Sequence, residues 1–95
     1  MTYRVQYLPE VTKDLKLLDK ARANRILDII EKKIINGEPT KTGKPLRGEL
    51  AGCYKIRIGD MRIVYRMIDD EITVLMIAAG MRRNDDVYKK AGKRV

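Results

Sequence analysis

The sequence predicts an α+β fold with the element order β-α-α-β-β-β-α, in which a mainly antiparallel four-stranded sheet packs against an N-terminal helical hairpin and a short helix ends the chain. Apolar residues alternate near the N-terminus and again over residues 53–80, which is the period of a strand. Between these segments they recur every three or four residues, the period of an amphipathic helix. The length of 95 residues predicts one domain over residues 1–95.

The N-terminal part of the chain supplies one strand and two helices. Thr2 to Leu8 alternates between apolar and polar residues and predicts a short strand. Pro9 then opens a helix, because proline is tolerated in a first turn. A longer helix follows over residues 21–35, and Gly37 is a typical stop signal. The two helices are expected to form an antiparallel hairpin.

The C-terminal part supplies three strands and the last helix. Residues 38–52 contain two prolines and three glycines and predict a loop. Strands are expected over residues 53–58, 61–68 and 72–80, joined by the glycine-first turn Gly59-Asp60 and by an acidic turn over residues 69–71. The final helix is predicted from about residue 85 to 93, with Asn84 as its N-cap.

The two-residue turn at Gly59-Asp60 predicts which side chains share a face of the sheet. One face is apolar and consists of Tyr54, Ile56, Ile58, Met61, Ile63, Tyr65 and Met67. The other face carries four cations around Val64, namely Lys55, Arg57, Arg62 and Arg66. In this register Arg57 lies opposite Arg62, and directly opposed like charges destabilise a sheet. An anion held between the cations would offset that repulsion.

The third predicted strand extends this basic face with apolar residues. Thr73, Leu75 and Ile77 fall on the same face as Arg62 and form an apolar floor beside the cations, suited to a base ring. Arg82 and Tyr88 follow in a loop and a helix, from which both can reach the rim. The pattern predicts a site for a phosphate and a base.

The charge balance points to the same class of ligand. The formal net charge is +8 and the isoelectric point is about 9.8, so the surface field attracts polyanions: nucleic acid, a membrane face or an acidic protein. Residues 79–95 hold six bases and two acids, the densest excess of positive charge in the chain.

Several classes of protein are excluded by composition. One cysteine and no histidine leave no disulfide framework, no multi-cysteine zinc site and no histidine-based catalytic triad. The longest apolar run, over residues 72–79, is too short for a membrane span, and the N-terminus lacks a signal-peptide segment. We therefore expect a cytoplasmic protein without membrane association.

Short motifs along nearly the whole chain resemble those of the RelE family, within the wider RelE/ParE superfamily of toxins from toxin–antitoxin pairs. In chain order they are Leu46-Arg47-Gly48, Tyr54-Lys55-Ile56-Arg57, Arg62-Ile63-Val64-Tyr65, Gly80-Met81-Arg82 and Val87-Tyr88. The last of these elements favours the RelE branch.

This resemblance implies a metal-independent endoribonuclease, an mRNA interferase that needs no cofactor and cuts mRNA in the ribosomal A site. The ribose 2′-hydroxyl would attack the adjacent phosphate. The functional positions of the family fall on Lys55, Arg57, Arg62, Arg82 and Tyr88. The implied partners are the ribosome, mRNA and a RelB-type antitoxin, with which the chain would form a hetero-oligomer.

One position departs from the family pattern. Arg57 stands where lysine is common, and arginine does not act as a general base because it is effectively never deprotonated. The base is therefore Lys55 or Tyr88, and the sequence leaves the choice open. Two alternative functions also stay open: a ParE-like inhibitor of DNA gyrase, and a non-catalytic nucleic-acid-binding relic of the fold.

Overall fold

The described strands form a single mixed sheet in the computed structural model, which describes residues 2–68 and 73–95. The strands are β1 (Arg4–Tyr7), β2 (Lys44–Pro45), β3 (Cys53–Ile58), β4 (Met61–Met67) and β5 (Thr73–Met81). Their spatial order is β1-β5-β4-β3-β2, with β1 parallel to β5 and every other pair antiparallel. The predicted α+β class is confirmed, and the strand count is five rather than four. The predicted acidic turn at residues 69–71 lies outside the described residues.

The extra strand comes from the segment that was predicted to be a loop. Lys44 and Pro45 pair with Lys55 and Tyr54, which makes β2 a two-residue edge strand. The preceding residues form a short helix, α3 (Pro39–Thr42), and a 3₁₀ turn follows at Gly48–Leu50. Proline has no N–H to donate, so it limits further pairing on the outer side of β2.

The predicted helical hairpin is present with one irregularity. Helix α1 spans Pro9–Lys16, and α2 spans Lys20–Ile29, with the Asp19 carboxylate accepting a hydrogen bond from the Arg22 N–H at 2.7 Å. The second helix continues as a π-helical segment over Ile30–Ile35. Among the described residues no helix is long and apolar enough to cross a membrane.

The last helix, α4 (Asp86–Arg94), begins slightly later than predicted. Its N-cap is Asp85, which has a left-handed backbone with φ of 57°, and a 3₁₀ turn over Arg83–Asp85 precedes it. The prediction of Asn84 as the N-cap is therefore wrong. The 3₁₀ turn moves the start of the helix one residue along the chain.

The helical hairpin covers one face of the sheet and encloses the main core. Val11, Ile26, Ile30 and Ile34 pack onto the face formed by Ile56, Ile58, Met61, Ile63 and Tyr65, with Tyr54 and Met67 at its margin. This is the apolar face that the turn register predicts. Burial of apolar surface stabilises the domain by about 25 cal/mol per Å², so this layer holds the β3–β4 hairpin in place.

Helix α4 covers the opposite face of the sheet. Its buried Val87 and Ala91 pack on Val64, Ile77 and Ala78, and Leu75 joins the same cluster. The predicted apolar floor of Thr73, Leu75 and Ile77 is therefore not available to a base ring at Leu75 and Ile77, because α4 packs on that surface. The basic residues beyond the helix remain accessible, and they form the site.

Candidate functional site

The β3–β4 hairpin sets the geometry of the basic face. Its register places Ile58 opposite Met61, Arg57 opposite Arg62 and Lys55 opposite Val64, as the sequence predicts. Gly59 supplies the positive φ of 59° that the two-residue turn requires. On the next strand, Gly80 lies opposite Arg62. Lys90 of α4 approaches this glycine, with its ammonium nitrogen 3.9 Å from the position that a Cβ at Gly80 would occupy.

Arg62 is the most firmly held cation of the site. Its side chain lies on the same face of the sheet as that of Arg57, yet the residue is only 8 % exposed. Nη1 donates hydrogen bonds to the carbonyl oxygens of Gly59 at 2.9 Å and Met61 at 2.8 Å. These bonds fix the guanidinium against the turn, so it is positioned before any ligand arrives.

Arg82 reaches the same place from the loop after β5. Its N–H donates to the Asp60 carbonyl at 2.9 Å, and its own carbonyl accepts from the Asp85 N–H at 2.9 Å. The loop is thus bonded to the hairpin turn while the Arg82 side chain stays exposed. A cavity of about 490 Å³ lies between the two segments, lined by Arg57, Gly59, Asp60, Arg62 and Arg82.

Lys55 and Tyr88 meet beside this cavity. The Lys55 ammonium nitrogen lies 5.7 Å from the centre of the Tyr88 ring, a cation–π contact between β3 and α4. Lys55 also lines a second cavity of about 470 Å³, which shares Arg57, Arg62 and Arg82 with the first. The two cavities are therefore lined by four of the five predicted site residues, and the fifth, Tyr88, lies beside Lys55. Arg66 lies further along β4, opposite Cys53, and lines neither cavity.

A buried ion pair attaches α4 to the rest of the molecule. The Asp14 carboxylate on α1 is 3 % exposed and accepts from Arg94 Nη1 at 2.7 Å and Nη2 at 3.0 Å. It also accepts from the Ala79 N–H at 3.1 Å and Lys90 Nζ at 3.4 Å. Arg94 Nη1 donates to the Ile77 carbonyl at 2.9 Å as well. This network fixes the helix that carries Tyr88.

The same network sets the charge state of Asp14. Burial raises the pKa of the carboxyl, but the hydrogen bonds from Arg94 and the Ala79 N–H and the nearby positive charges outweigh it. The pKa of Asp14 therefore lies below its usual range. Arg94 is held correspondingly as a cation, since its bond to Asp14 raises its pKa.

Sequence reasoning missed three contributors to the site. Asp14 carried a usable signal, because it falls on the apolar stripe of Val11, Leu15 and Leu18, where an acid is expected to have a buried partner. Lys33 and Lys44 line the second cavity and carried no such signal. Lys44 falls in the predicted loop over residues 38–52, and Lys33 is one of two adjacent lysines in the predicted helix over residues 21–35.

The arrangement suits a phosphate group. Guanidinium groups bind phosphate oxygens in a bidentate geometry and stabilise extra negative charge that develops in a transition state. Arg57, Arg62 and Arg82 converge from β3, β4 and the loop after β5. Lys55 and Tyr88, which can both donate and lose a proton, lie at the edge of this group.

Comparison with known proteins gives one consistent family. Residues 5–86 match the family model for the ParE toxin of type II toxin–antitoxin systems. A RelE-like toxin protein of Escherichia coli is 32% identical over 100% of this chain and 99% of its own length. Toxin RelG of Mycobacterium tuberculosis is 31% identical over 95% of this chain and 100% of its own. The mRNA interferase toxin RelE of Escherichia coli K12 is 34% identical over 70% of this chain and 73% of its own.

Solved structures agree with these relatives. The toxin–antitoxin complex RelBE2 of Mycobacterium tuberculosis contains a chain that superposes with a TM-score of 0.78 at 30% identity, covering 86% of this chain and 100% of that one. A mutant of the Escherichia coli toxin RelE in the free state gives a TM-score of 0.68 at 26% identity over 100% of this chain and 99% of that one.

Proposed function

The chain belongs to the RelE family of type II toxin–antitoxin toxins, and from that premise we propose that it is a ribosome-dependent mRNA endoribonuclease. The observation that carries the proposal is that Lys55, Arg57, Arg62 and Arg82 line adjoining cavities beside the β3–β4 hairpin, with Tyr88 next to Lys55. Strand register alone predicts part of this group, and the family resemblance selects the same residues. A relative of this chain is named an mRNA interferase, which supports the same activity.

The proposed reaction is a transesterification within the RNA. The ribose 2′-oxygen attacks the adjacent phosphorus while losing its proton, and the bond from phosphorus to the 5′-oxygen of the next nucleotide breaks. The products are a 2′,3′-cyclic phosphate and a 5′-hydroxyl, the latter formed as the leaving oxygen gains a proton. Arg57, Arg62 and Arg82 bind the phosphate and stabilise the negative charge that develops on it.

The proton transfers fall to the residues beside the arginines. Arg57 does not serve as a base, since its guanidinium stays protonated. The two remaining candidates are neighbours, with the Lys55 ammonium nitrogen 5.7 Å from the centre of the Tyr88 ring, so a single bound nucleotide can lie within reach of both. Arg82, on its exposed loop, is placed to donate a hydrogen bond to the leaving oxygen and so stabilise its charge, without giving up a proton. The aromatic ring of Tyr88 is also available to stack on a nucleobase.

The ribosome has a physical role in this proposal. The site lacks an acid and a base whose ordinary pKa values lie near neutrality, so proton transfer alone gives limited acceleration. Alignment of the 2′-oxygen with phosphorus by the ribosome supplies much of the rest, because fixed orientation lowers a barrier by several kcal/mol. We therefore expect slow cleavage of free RNA.

A RelB-type antitoxin is the proposed protein partner. Relatives of this chain have been solved as toxin–antitoxin complexes, from Mycobacterium tuberculosis and from Pyrococcus horikoshii. The net charge of +8 and the basic edge of the sheet suit a partner with acidic segments. We expect the antitoxin to form a hetero-oligomer with this chain and to cover or distort the basic site.

Inhibition of DNA gyrase is the second candidate function, because the matching family model describes the ParE toxin. One experiment separates the two. Purified protein is incubated with programmed ribosomes, with the same mRNA alone, and with gyrase and supercoiled plasmid, each with and without EDTA where the assay permits. We expect mRNA cleavage on ribosomes that far exceeds cleavage of free RNA, and we expect whatever cleavage of free RNA occurs to persist in EDTA. Equal rates on both RNA substrates, or gyrase inhibition without cleavage, would overturn the proposal.

A further inference from the structure

The basic surface continues beyond the five site residues, around the outer edge of β3. The cavity of about 470 Å³ is lined on that side by Lys33, Thr42 and Lys44, and on the other by Lys55, Arg57, Arg62 and Arg82, with Ile56 as its one apolar residue. Within the described part of the chain, no carboxylate contributes to this lining. Its volume falls in the range of small-ligand sites, so it has room for a nucleotide unit.

Lys44 belongs to the same face as the site. It lies directly opposite Lys55 in the β2–β3 pair, and directly opposed residues of antiparallel strands share a face. A pair of lysines in this position repels, and their side chains are close enough to contact one common anion. Lys44 and Lys55 are therefore a second pair of directly opposed like charges. They lie one strand nearer the edge of the sheet than the pair Arg57 and Arg62.

Lys33 reaches the cavity from the other side of the sheet edge. It lies in the π-helical segment Ile30–Ile35, where the Asn36 N–H donates to the Glu31 carbonyl at 3.0 Å. Ile30 and Ile34 anchor that segment in the core, and the exposed Lys33 lines the same cavity as Lys44 of β2. Single π turns within helices are rare and occur frequently at functional sites.

From this geometry we propose that Lys33, Thr42 and Lys44 form a second RNA-backbone subsite, which binds the phosphate next to the one that is cut. The subsite is continuous with the reaction site, because the two cavities share Arg57, Arg62 and Arg82. This inference rests on the proposed function for the identity of the ligand as RNA. It adds that the RNA strand crosses the edge of the sheet at β2.

The chain offers a matched control for the test. Lys32 and Lys41 are exposed neighbours of the subsite lysines and lie outside the cavity lining, with Lys41 paired to Glu38 at 3.5 Å. The double variants Lys33→Ala/Lys44→Ala and Lys32→Ala/Lys41→Ala therefore lose the same net charge. Thermal melts of both should match the original protein, since all four side chains are exposed.

Binding is measured by NMR titration with a 2′-O-methyl RNA hexanucleotide and with the corresponding dinucleotide, at two salt concentrations. Neither RNA can be cut, because the attacking hydroxyl is blocked. We expect the subsite variant to bind the hexanucleotide about tenfold more weakly than the control variant. The slope of log K against log salt concentration for hexanucleotide binding should be shallower by about 0.7 in the subsite variant. This is the value for one lost phosphate contact on a single strand. The dinucleotide, which has one phosphate, should not distinguish the variants.

Equal weakening in both double variants would overturn the subsite, since it would show a general effect of net charge. Equal affinity of both variants and the original protein for the hexanucleotide would overturn it as well. A separate assay of the original protein on programmed ribosomes tests the proposed function. If that protein cuts mRNA while the two variants bind alike, the subsite fails alone. If it cuts nothing and yet binds the hexanucleotide through Lys33 and Lys44, the nuclease proposal fails alone.

Discussion

Arg62 and Arg82 line the same cavity but depend on the fold in different ways. Arg62 is nearly buried and bonded to two carbonyl oxygens of its own hairpin, so the residue supports the turn as well as the site. Arg82 is exposed, and the hydrogen bonds of that residue to Asp60 and Asp85 are made by its backbone. Loss of the Arg82 side chain therefore removes a charge from the site and leaves the loop intact.

We expect Arg82→Ala to abolish growth inhibition and mRNA cleavage while changing the free energy of unfolding by less than about 0.5 kcal/mol. The measurement is cleavage on programmed ribosomes beside a thermal melt of the same preparation. The neighbouring exposed Arg83→Ala is the control, because Arg83 lines neither cavity with Arg57 and Arg62. A folded Arg82→Ala protein that cleaves at the original rate would remove Arg82 from the site.

At the residue scale, the turn chemistry made most of the site predictable. A glycine-first two-residue turn admits one register, and that register alone places Arg57 opposite Arg62. The burial of Arg62 was not predictable, because it depends on carbonyl oxygens of the turn that the residue pattern does not describe. The roles of Lys55 and Tyr88 in proton transfer stay a prediction.

Helix α4 is the element on which the site depends most. Its inner side chains, Val87 and Ala91, occupy the apolar surface of β4 and β5, and its C-terminal Arg94 is tied to Asp14 on α1. The helix thereby holds Tyr88 against Lys55. Release of this helix would separate one candidate base from the arginines.

Asp14→Asn tests the attachment of α4 through its pH dependence. The folded pKa of Asp14 is depressed, so its contribution to stability is present above the unfolded pKa of about 3.9 and is lost as pH falls through the folded value. At pH 7 we expect Asp14→Asn to lower the free energy of unfolding by about 3–5 kcal/mol, since it leaves Arg94 without its buried partner.

The difference between the original protein and Asp14→Asn should shrink as denaturant unfolding is repeated from pH 7 down to pH 3. Asp28→Asn, which removes an exposed carboxylate, serves as the control and should change stability little at any pH. A loss that stays constant between pH 7 and pH 3 would show that the charge of Asp14 does not stabilise the fold.

At the element scale, the sequence predicted the elements with strong local periodicity and missed those that depend on distant partners. The helical hairpin and the β3–β4 hairpin follow from local patterns. Strand β2 has two residues, too few for any alternation, and it forms only because Lys44 and Pro45 meet β3. The packing of α4 on the sheet could be predicted from the sequence, because Val87 and Ala91 lie four residues apart on one apolar stripe of the helix.

The two faces of the sheet are covered by different elements. One is closed by the helical hairpin over a continuous apolar core, and the other is shared between α4 and the basic residues at the open edge. With a net charge of +8, the molecule will attract acidic partners over distances set by the Debye length, about 10 Å at 0.1 M salt. Tight binding also requires apolar contact, because exposed ion pairs contribute only about 0–1 kcal/mol each.

We therefore expect the cognate antitoxin to bind with an association rate that depends strongly on salt and a dissociation rate that depends weakly on it. Stopped-flow and surface-binding kinetics between low salt and about 0.5 M would measure both rates. Screening should slow association more than it speeds dissociation. A complex that falls apart at the higher salt would show that charge, and not apolar contact, sets its lifetime.

We expect this chain to cut translated mRNA through the basic residues beside its β3–β4 hairpin, and mapping of RNA ends in expressing cells tests this most directly. Cells expressing the original protein should accumulate new 5′-hydroxyl ends within coding regions, in phase with the reading frame because the cut falls in the ribosomal A site. The matching upstream fragments should end in 2′,3′-cyclic phosphates, and cells expressing Arg82→Ala should lack both. New ends that also appear in untranslated RNA, or growth arrest without new RNA ends, would contradict the claim.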